Sequence, residues 1–197
     1  MAQQRTLRLV HDASVSPRPQ LVPNSVLAVV IFVIAEAMLF AGLISAFTIV
    51  RAGALVWPPP GQPRLPLETT ALNTAALLLS GALLVLAHRR FRDSRARAHR
   101  PLFGAILLGS FFVLFQGAEW LALIREGLTL TSSTHGSFFY LIVGMHALHA
   151  IAALAALAWA WFLLVQRRLR TSTFLAAQIF WYFVVGIWPI LYLRVYL

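Results

Sequence analysis

The chain has 197 residues, 60% of them hydrophobic and only 11% charged, with a formal net charge of +10. No soluble domain of this size needs so much apolar side chain, so the composition excludes an ordinary globular enzyme and points to the bilayer. The absence of cysteine excludes disulfides, iron–sulfur clusters and thiolate metal sites or nucleophiles.

Residues 1–24 form an arginine-bearing segment with no apolar core of signal-peptide type, so no cleavage is expected and the segment is read as cytoplasmic. Its composition is also compatible with a mitochondrial transit peptide, but a chain without a single lysine suggests a GC-rich bacterial gene and hence a bacterial inner membrane. Residues 25–197 read as one membrane domain with five apolar runs, roughly Val26–Val50, Thr69–Ala87, Leu102–Ile124, Phe138–Val165 and Phe174–Leu193. Each is near or above the ~20 residues needed to cross ~30 Å of hydrocarbon. Backbone groups in lipid must be paired within their own segment, so the expected fold is all-α, a bundle of five transmembrane helices.

The first run carries Glu36, ten residues in and therefore about 15 Å deep by helical rise. Ionising a carboxyl at that depth is costly without a partner or water. It reads either as a proton-relay or cleft-lining group or as a hydrogen-bonded carboxyl that holds helices together. The connection Arg51–Glu68 is stiffened by Pro58, Pro59, Pro60, Pro63 and Pro66, and Trp57 at its start suits a membrane interface. Asn73 on the second run is placed to hydrogen-bond across helices. Glu119 in the last turn of the third run reads as a solvated or arginine-paired carboxylate, with Trp120 beside it at the interface. On the fourth run His146 and His149 share a helical face, and Ala152, Ala156 and Ala160 form a small-residue stripe that suits close helix packing.

The arginines are placed for topology. Twelve precede the first run or lie in Arg89–Arg100 and Arg167–Arg170, against four (Arg51, Arg64, Arg125 and Arg194) on the other side. The bias puts the N-terminus in the cytoplasm and the C-terminus outside, and it explains the basic charge without a nucleic-acid partner. The loop Arg89–Arg100 is also suited to anionic lipid headgroups.

Two imidazoles on one face could ligate haem, copper or zinc. A haem-copper catalytic core, however, needs about six membrane histidines, and here only His146 and His149 are well inside a run; His88 is at a run end, and His11, His99 and His135 are in connections. The Glu-x-x-His motifs of a di-iron carboxylate bundle do not occur. No metal is therefore assigned to the chain, and the histidines read as a hydrogen-bonded structural pair.

The segment Gly136-Ser-Phe-Phe-Tyr-Leu-Ile-Val-Gly-Met-His146-Ala-Leu-His149 resembles the signature of subunit III of haem-copper cytochrome c oxidases. Four further segments match that family in order: Ile34-Ala-Glu36-Ala-Met-Leu-Phe-Ala-Gly42, Trp57-Pro-Pro with Pro66-Leu-Glu68-Thr-Thr-Ala-Leu-Asn73-Thr, Gln116-Gly-Ala-Glu119-Trp, and Trp181-Tyr-Phe-Val-Val-Gly-Ile-Trp188. The last departs from the family pattern, with Tyr182 and Val185 where the family has His and Asp. Better-known members have seven helices; this chain resembles the five-helix form that lacks the first two.

The resemblance implies a subunit of a proton-pumping terminal oxidase that has no catalytic group of its own. Such a subunit packs mainly against subunit I, also meets subunit II, carries bound phospholipid and supports proton uptake, while the haems and copper stay in the partners. Glu36, Glu119, His146 and His149 are the intramembrane functional candidates. Asn73, Trp57, Trp181, Tyr182 and Trp188 are the packing or lipid-contact candidates. Two alternatives stay open, an accessory subunit of a nitric oxide reductase or quinol oxidase, and a small proton-coupled carrier using Glu36 and the histidines.

The arginine bias predicts that a cysteine introduced at Ser94 is shielded from a membrane-impermeant thiol reagent in intact cells, whereas one at Gln62 is labelled. Labelling at Ser94 in intact cells contradicts the orientation.

Overall fold

A computed structural model of the chain describes residues 22–57, 59, 63 and 65–196. Residues 1–21, with Arg5, Arg8, His11 and Arg18, lie outside the described residues, as do Pro58, Pro60, Gln62 and Arg64 of the proline-rich connection. Five helices follow: α1 (Asn24–Gly53), α2 (Leu67–Asp93), α3 (His99–Arg125), α4 (Thr134–Val165) and α5 (Thr171–Leu191). All five are long and apolar enough to cross a membrane, and no strand occurs among the described residues.

The helix ends differ from the apolar runs because local backbone chemistry, and not hydropathy, stops a helix. Ser133 caps α4, its hydroxyl accepting from the Gly136 amide at 3.0 Å. Glu68 falls in the first turn of α2, where a carboxylate complements the helix dipole. At its far end α2 runs on through Arg89–Asp93 until Ser94 turns extended, and a 3₁₀ turn, Arg95–Ala98, leads directly into α3. The basic connection expected as a loop is thus largely helical, since arginine is a good helix former. Pro189 sits inside α5, and beyond Leu191 the chain continues as one π turn, Tyr192–Tyr196.

α5 is the centre post. It contacts α1, α2 and α4, while α2 packs on α3 and α3 on α4. The contact with α2 is laced by side-chain hydrogen bonds in antiparallel register. Tyr192 Oη donates to the Leu67 carbonyl (3.1 Å), Trp188 Nε1 to Thr74 Oγ1 (2.8 Å) and Trp181 Nε1 to Ser80 Oγ (2.9 Å), and His88 Nδ1 lies 3.0 Å from Gln178 Oε1. Trp181 and Trp188 are fully buried, so the indoles expected as packing or lipid contacts are packing groups. Gly109 of α3 makes room for one of them, since a Cβ there would come within 2.6 Å of the Trp181 ring.

Val185, at the position where the family has Asp, packs its Cγ1 3.1 Å from the place a Gly81 Cβ would occupy. The α2–α5 contact is apolar and tight there, with no room to solvate a carboxylate. Tyr182 is half-buried against the same core.

The alanine stripe does not form a single packing face. Ala160 is buried but Ala152 is exposed; the inward face of α4 is Ala150, Ala153, Leu157, Ala160 and Leu164. The inward positions follow the helical period of i, i+3 and i+7, and a strict four-residue repeat drifts off that face. α1 lies at the edge and buries only Phe40 and Phe47.

Candidate functional site

His149 lies at the middle of α4, and Glu36 on α1 faces it, with Glu36 Oε2 3.0 Å from His149 Nε2. The approach is off the line of a formed hydrogen bond, so the contact is chiefly electrostatic. On the other edge of the ring, His149 Nδ1 donates to the Met145 carbonyl at 2.8 Å. A carbonyl can only accept, so Nδ1 carries a proton. Nε2 is the ring nitrogen that faces the carboxyl. An imidazole set against the carboxyl is how an acidic side chain is accommodated at this depth.

The pair is caged by phenylalanines. Phe32 stacks on the His149 ring at 6.1 Å, and Phe40, Phe180 and Phe183 present edges at 5.6, 6.2 and 6.2 Å. Bringing α1 to this pair from the edge of the bundle relies on Phe40, which is fully buried between His146 and His149.

The two histidines do not act as one pair. His146 turns away from Glu36 and stacks on Trp188 at 5.0 Å, with Phe112 and Phe40 at its edges. Neither of its ring nitrogens has a hydrogen-bond partner among the described residues. It lines a cavity of about 150 Å³ with Gln116, Trp120, Val143 and Trp188. The expected hydrogen-bonded His–His pair is therefore replaced by one histidine facing a carboxyl on α1 and one stacked within the α3–α4–α5 core. Both imidazoles lie on one helical face and both meet the edge-on Phe40 ring, but their polar and stacking partners differ. No three His, Cys, Asp or Glu side chains converge as a metal-ligand group among the described residues.

Glu119 stands nearly two turns before the end of α3, deeper than expected, and its partners are hydroxyls and an amide. Thr69 Oγ1 donates to Glu119 Oε1, while Thr70 Oγ1 (3.1 Å) and Gln116 Nε2 (3.2 Å) donate to Oε2. Gln116 Nε2 also donates to Tyr196 Oη at 3.1 Å, and Asn73 Nδ2 reaches Gln116 Oε1 (3.4 Å) and the Phe112 carbonyl (3.2 Å). Asn73 thus bridges α2 to α3 as expected. Gln116, Thr69, Thr70 and Tyr196 are partners that sequence reasoning missed, although Thr69, Thr70 and Asn73 lie on one face of α2 opposite Gln116 and Glu119 on one face of α3.

Trp57 is folded back onto the bundle, its ring perpendicular to that of buried His135 at 5.1 Å and edge-on to Phe47 at 5.6 Å. The start of the proline-rich connection is thereby pinned to the ends of α1 and α4.

With these features in place, the comparisons with known proteins are decisive. The family model described as cytochrome c oxidase subunit III matches residues 20–197. The chain belongs to the cytochrome c oxidase subunit III family. It is 33% identical over 177 residues to a cytochrome c oxidase subunit 3 of Lemur catta, 32% over 177 residues to one of Ovis aries, and 33% over 181 residues to one of Damaliscus lunatus. Each match covers 85% of this chain and 64%, 67% and 67% of the respective relative, so the chain spans about two thirds of the length of the curated relatives it matches. Family and spans together make it a multi-pass membrane protein.

The contact between Glu36 and His149 has a chemical readout. A hydrophobic carbodiimide, which modifies protonated carboxyls in apolar surroundings, labels Glu36 in native membranes. His149→Leu removes the polar partner of the carboxyl and leaves it in apolar surroundings, so labelling becomes severalfold faster, and Glu36→Gln abolishes it. An unchanged labelling rate in His149→Leu contradicts a direct contact between the two groups.

Proposed function

We propose that this chain is the subunit III of a haem-copper terminal oxidase that reduces O₂ to water with electrons from cytochrome c and pumps protons. The observation that carries this is the family match along almost the whole chain, from residue 20 to residue 197. In this reading the chain has no redox centre of its own, and the haems and copper belong to subunits I and II. Its role is to buttress subunit I, hold phospholipid and support proton uptake.

The arrangement of groups agrees with such a role. The Glu36–His149 pair can hold one proton near mid-membrane and change which partner carries it without changing the net charge of the site. The exposed apolar surface of α1, where Ile31, Ile34, Met38 and Ile49 are each more than half exposed, suits contact with a larger membrane partner or with lipid. The N-terminus and the arginine-rich ends of α2 and α4 face the cytoplasm, and the Trp57 side faces outward. The lysine-free composition favours a bacterial inner membrane as the location.

An affinity tag on this chain, expressed with its genomic neighbours and extracted in mild detergent, co-purifies a haem-bearing partner with O₂-reductase activity. His146→Ala and His149→Ala leave the haem spectrum of the assembled complex intact. Recovery of the chain as a haem-free homo-oligomer contradicts the subunit reading and favours a carrier. Loss of one haem band from a fully assembled complex contradicts the assignment of the haems to the partners.

A further inference from the structure

Between α3 and α4 the bundle is incompletely filled. The cavity there, about 150 Å³, lies among the rings of Phe112, Trp120, His146 and Trp188. Three of these rings are held by contact with one another. Phe112 stands edge-on to Trp188 at 4.9 Å and to His146 at 6.4 Å, and His146 is stacked on Trp188 at 5.0 Å. The fourth, Trp120, reaches from α3 across to α4, where its ring lies 3.9 Å from the place of a Gly144 Cβ.

The opening faces the lipid. Gly117 and Ala147 line the cavity and are each partly exposed. Gly117 shares a face of α3 with Leu114 and Leu121, and Ile151 stands one turn beyond Ala147 on α4; all three are more than half exposed. Gly117 also differs in kind from the glycines of the core. A Cβ at Gly81 would crowd Val185 and one at Gly109 would strike Trp181, whereas one at Gly117 would meet nothing within 4 Å. Close packing explains the first two glycines but not the third, whose missing side chain leaves the cavity open.

The wall presents carbon and no free hydrogen-bonding group. Both ring nitrogens of His146 and the indole nitrogen of Trp120 are buried. Gln116, the other polar side chain at the wall, is engaged with Glu119, Tyr196 and Asn73. A water molecule needs several polar partners to settle in a cavity, so this one favours an apolar occupant.

We propose that the cavity binds one uncharged, monocyclic aromatic molecule dissolved in the bilayer, which enters between Gly117 and Ala147. The volume is that of an apolar cavity that holds one benzene. Ring walls that offer both faces and edges favour an aromatic occupant over a saturated chain of the same volume. A hydroxyl or carbonyl on the ring would be left without a hydrogen bond, so hydrocarbons are preferred to phenols and quinones. The bound ring lies against Trp188, whose indole N–H holds Thr74 of α2, and so touches the α2–α5 seam. The site rests on the bundle itself and not on the oxidase-subunit reading.

The test is photolabelling of native membranes with trifluoromethyl(phenyl)diazirine, an uncharged single-ring probe. The chain is then isolated through an affinity tag, and the labelled residues are located by mass spectrometry. Label is expected at residues 117–120 and 147–151, where excess toluene suppresses it severalfold, while label on exposed Met38 persists. Phenol needs to be about tenfold more concentrated in the membrane for the same suppression, because its hydroxyl stays unpaired. Dodecane, standing in for an acyl chain, does not compete. Gly117→Leu abolishes the toluene-sensitive label and leaves Met38 labelled as before, and Ala147→Leu does the same from the other side of the opening. Label that toluene does not suppress, equal competition by dodecane, equal competition by phenol, or toluene-sensitive label that survives either substitution each overturns the proposal.

Discussion

In a bilayer core there is no water to complete a polar side chain, so each hydroxyl, amide, indole N–H or carboxyl must find its partner on another helix. Much of this structure follows from how that requirement is met between α2 and α5. Thr74, Ser80 and His88 on one helix meet Trp188, Trp181 and Gln178 on the other, and Tyr192 reaches the first carbonyl of α2. The contacts run the length of the membrane, so they fix both the separation and the register of the two helices. α5 is then held as a post against which α4 and α1 pack. Gly81 and Gly109 belong to the same solution, because Val185 and Trp181 occupy the volume their side chains would need.

Two polar centres are built on that frame, and they differ in kind. The Glu119 centre is saturated: the carboxylate takes donors from Thr69, Thr70 and Gln116, and Gln116 is itself tied to Tyr196 and Asn73. Such a network fixes α2, α3 and the π turn that follows α5. The Glu36 centre is sparse. It has one imidazole partner, a ring of phenylalanines and an edge helix that buries only two of its residues. Its carboxyl, on the helix that buries the fewest residues, is held by a single imidazole.

The number of spans was legible because five long apolar runs admit one solution in lipid, and Glu36 and His149 were legible because ionisable residues at that depth are rare. Their pairing was not, since it needs α1 to sit beside α4 even though α2 and α3 lie between them in sequence. The different partners of His146 and His149 were hidden for a similar reason: three residues apart on one helix predicts proximity, but the partners, Trp188 and Glu36, come from α5 and α1. Glu119's partners were missed because threonine and glutamine in an apolar run give little signal by themselves. Arg89–Asp93 read as a loop on charge alone, although arginine propagates a helix well.

The account's central claim is that cross-helix hydrogen bonds between α2 and α5 hold the bundle in register. A double-mutant cycle on Trp188→Phe and Thr74→Val, measured as the unfolding free energy of the complex in lipid bicelles, tests it most directly. Each single variant removes one partner and leaves the other unsatisfied in an apolar seam, so the account predicts a favourable coupling of about 0.6–1.7 kcal/mol. A coupling indistinguishable from zero, with both single variants as stable as the parent, would contradict it, because the seam would then be held by shape alone.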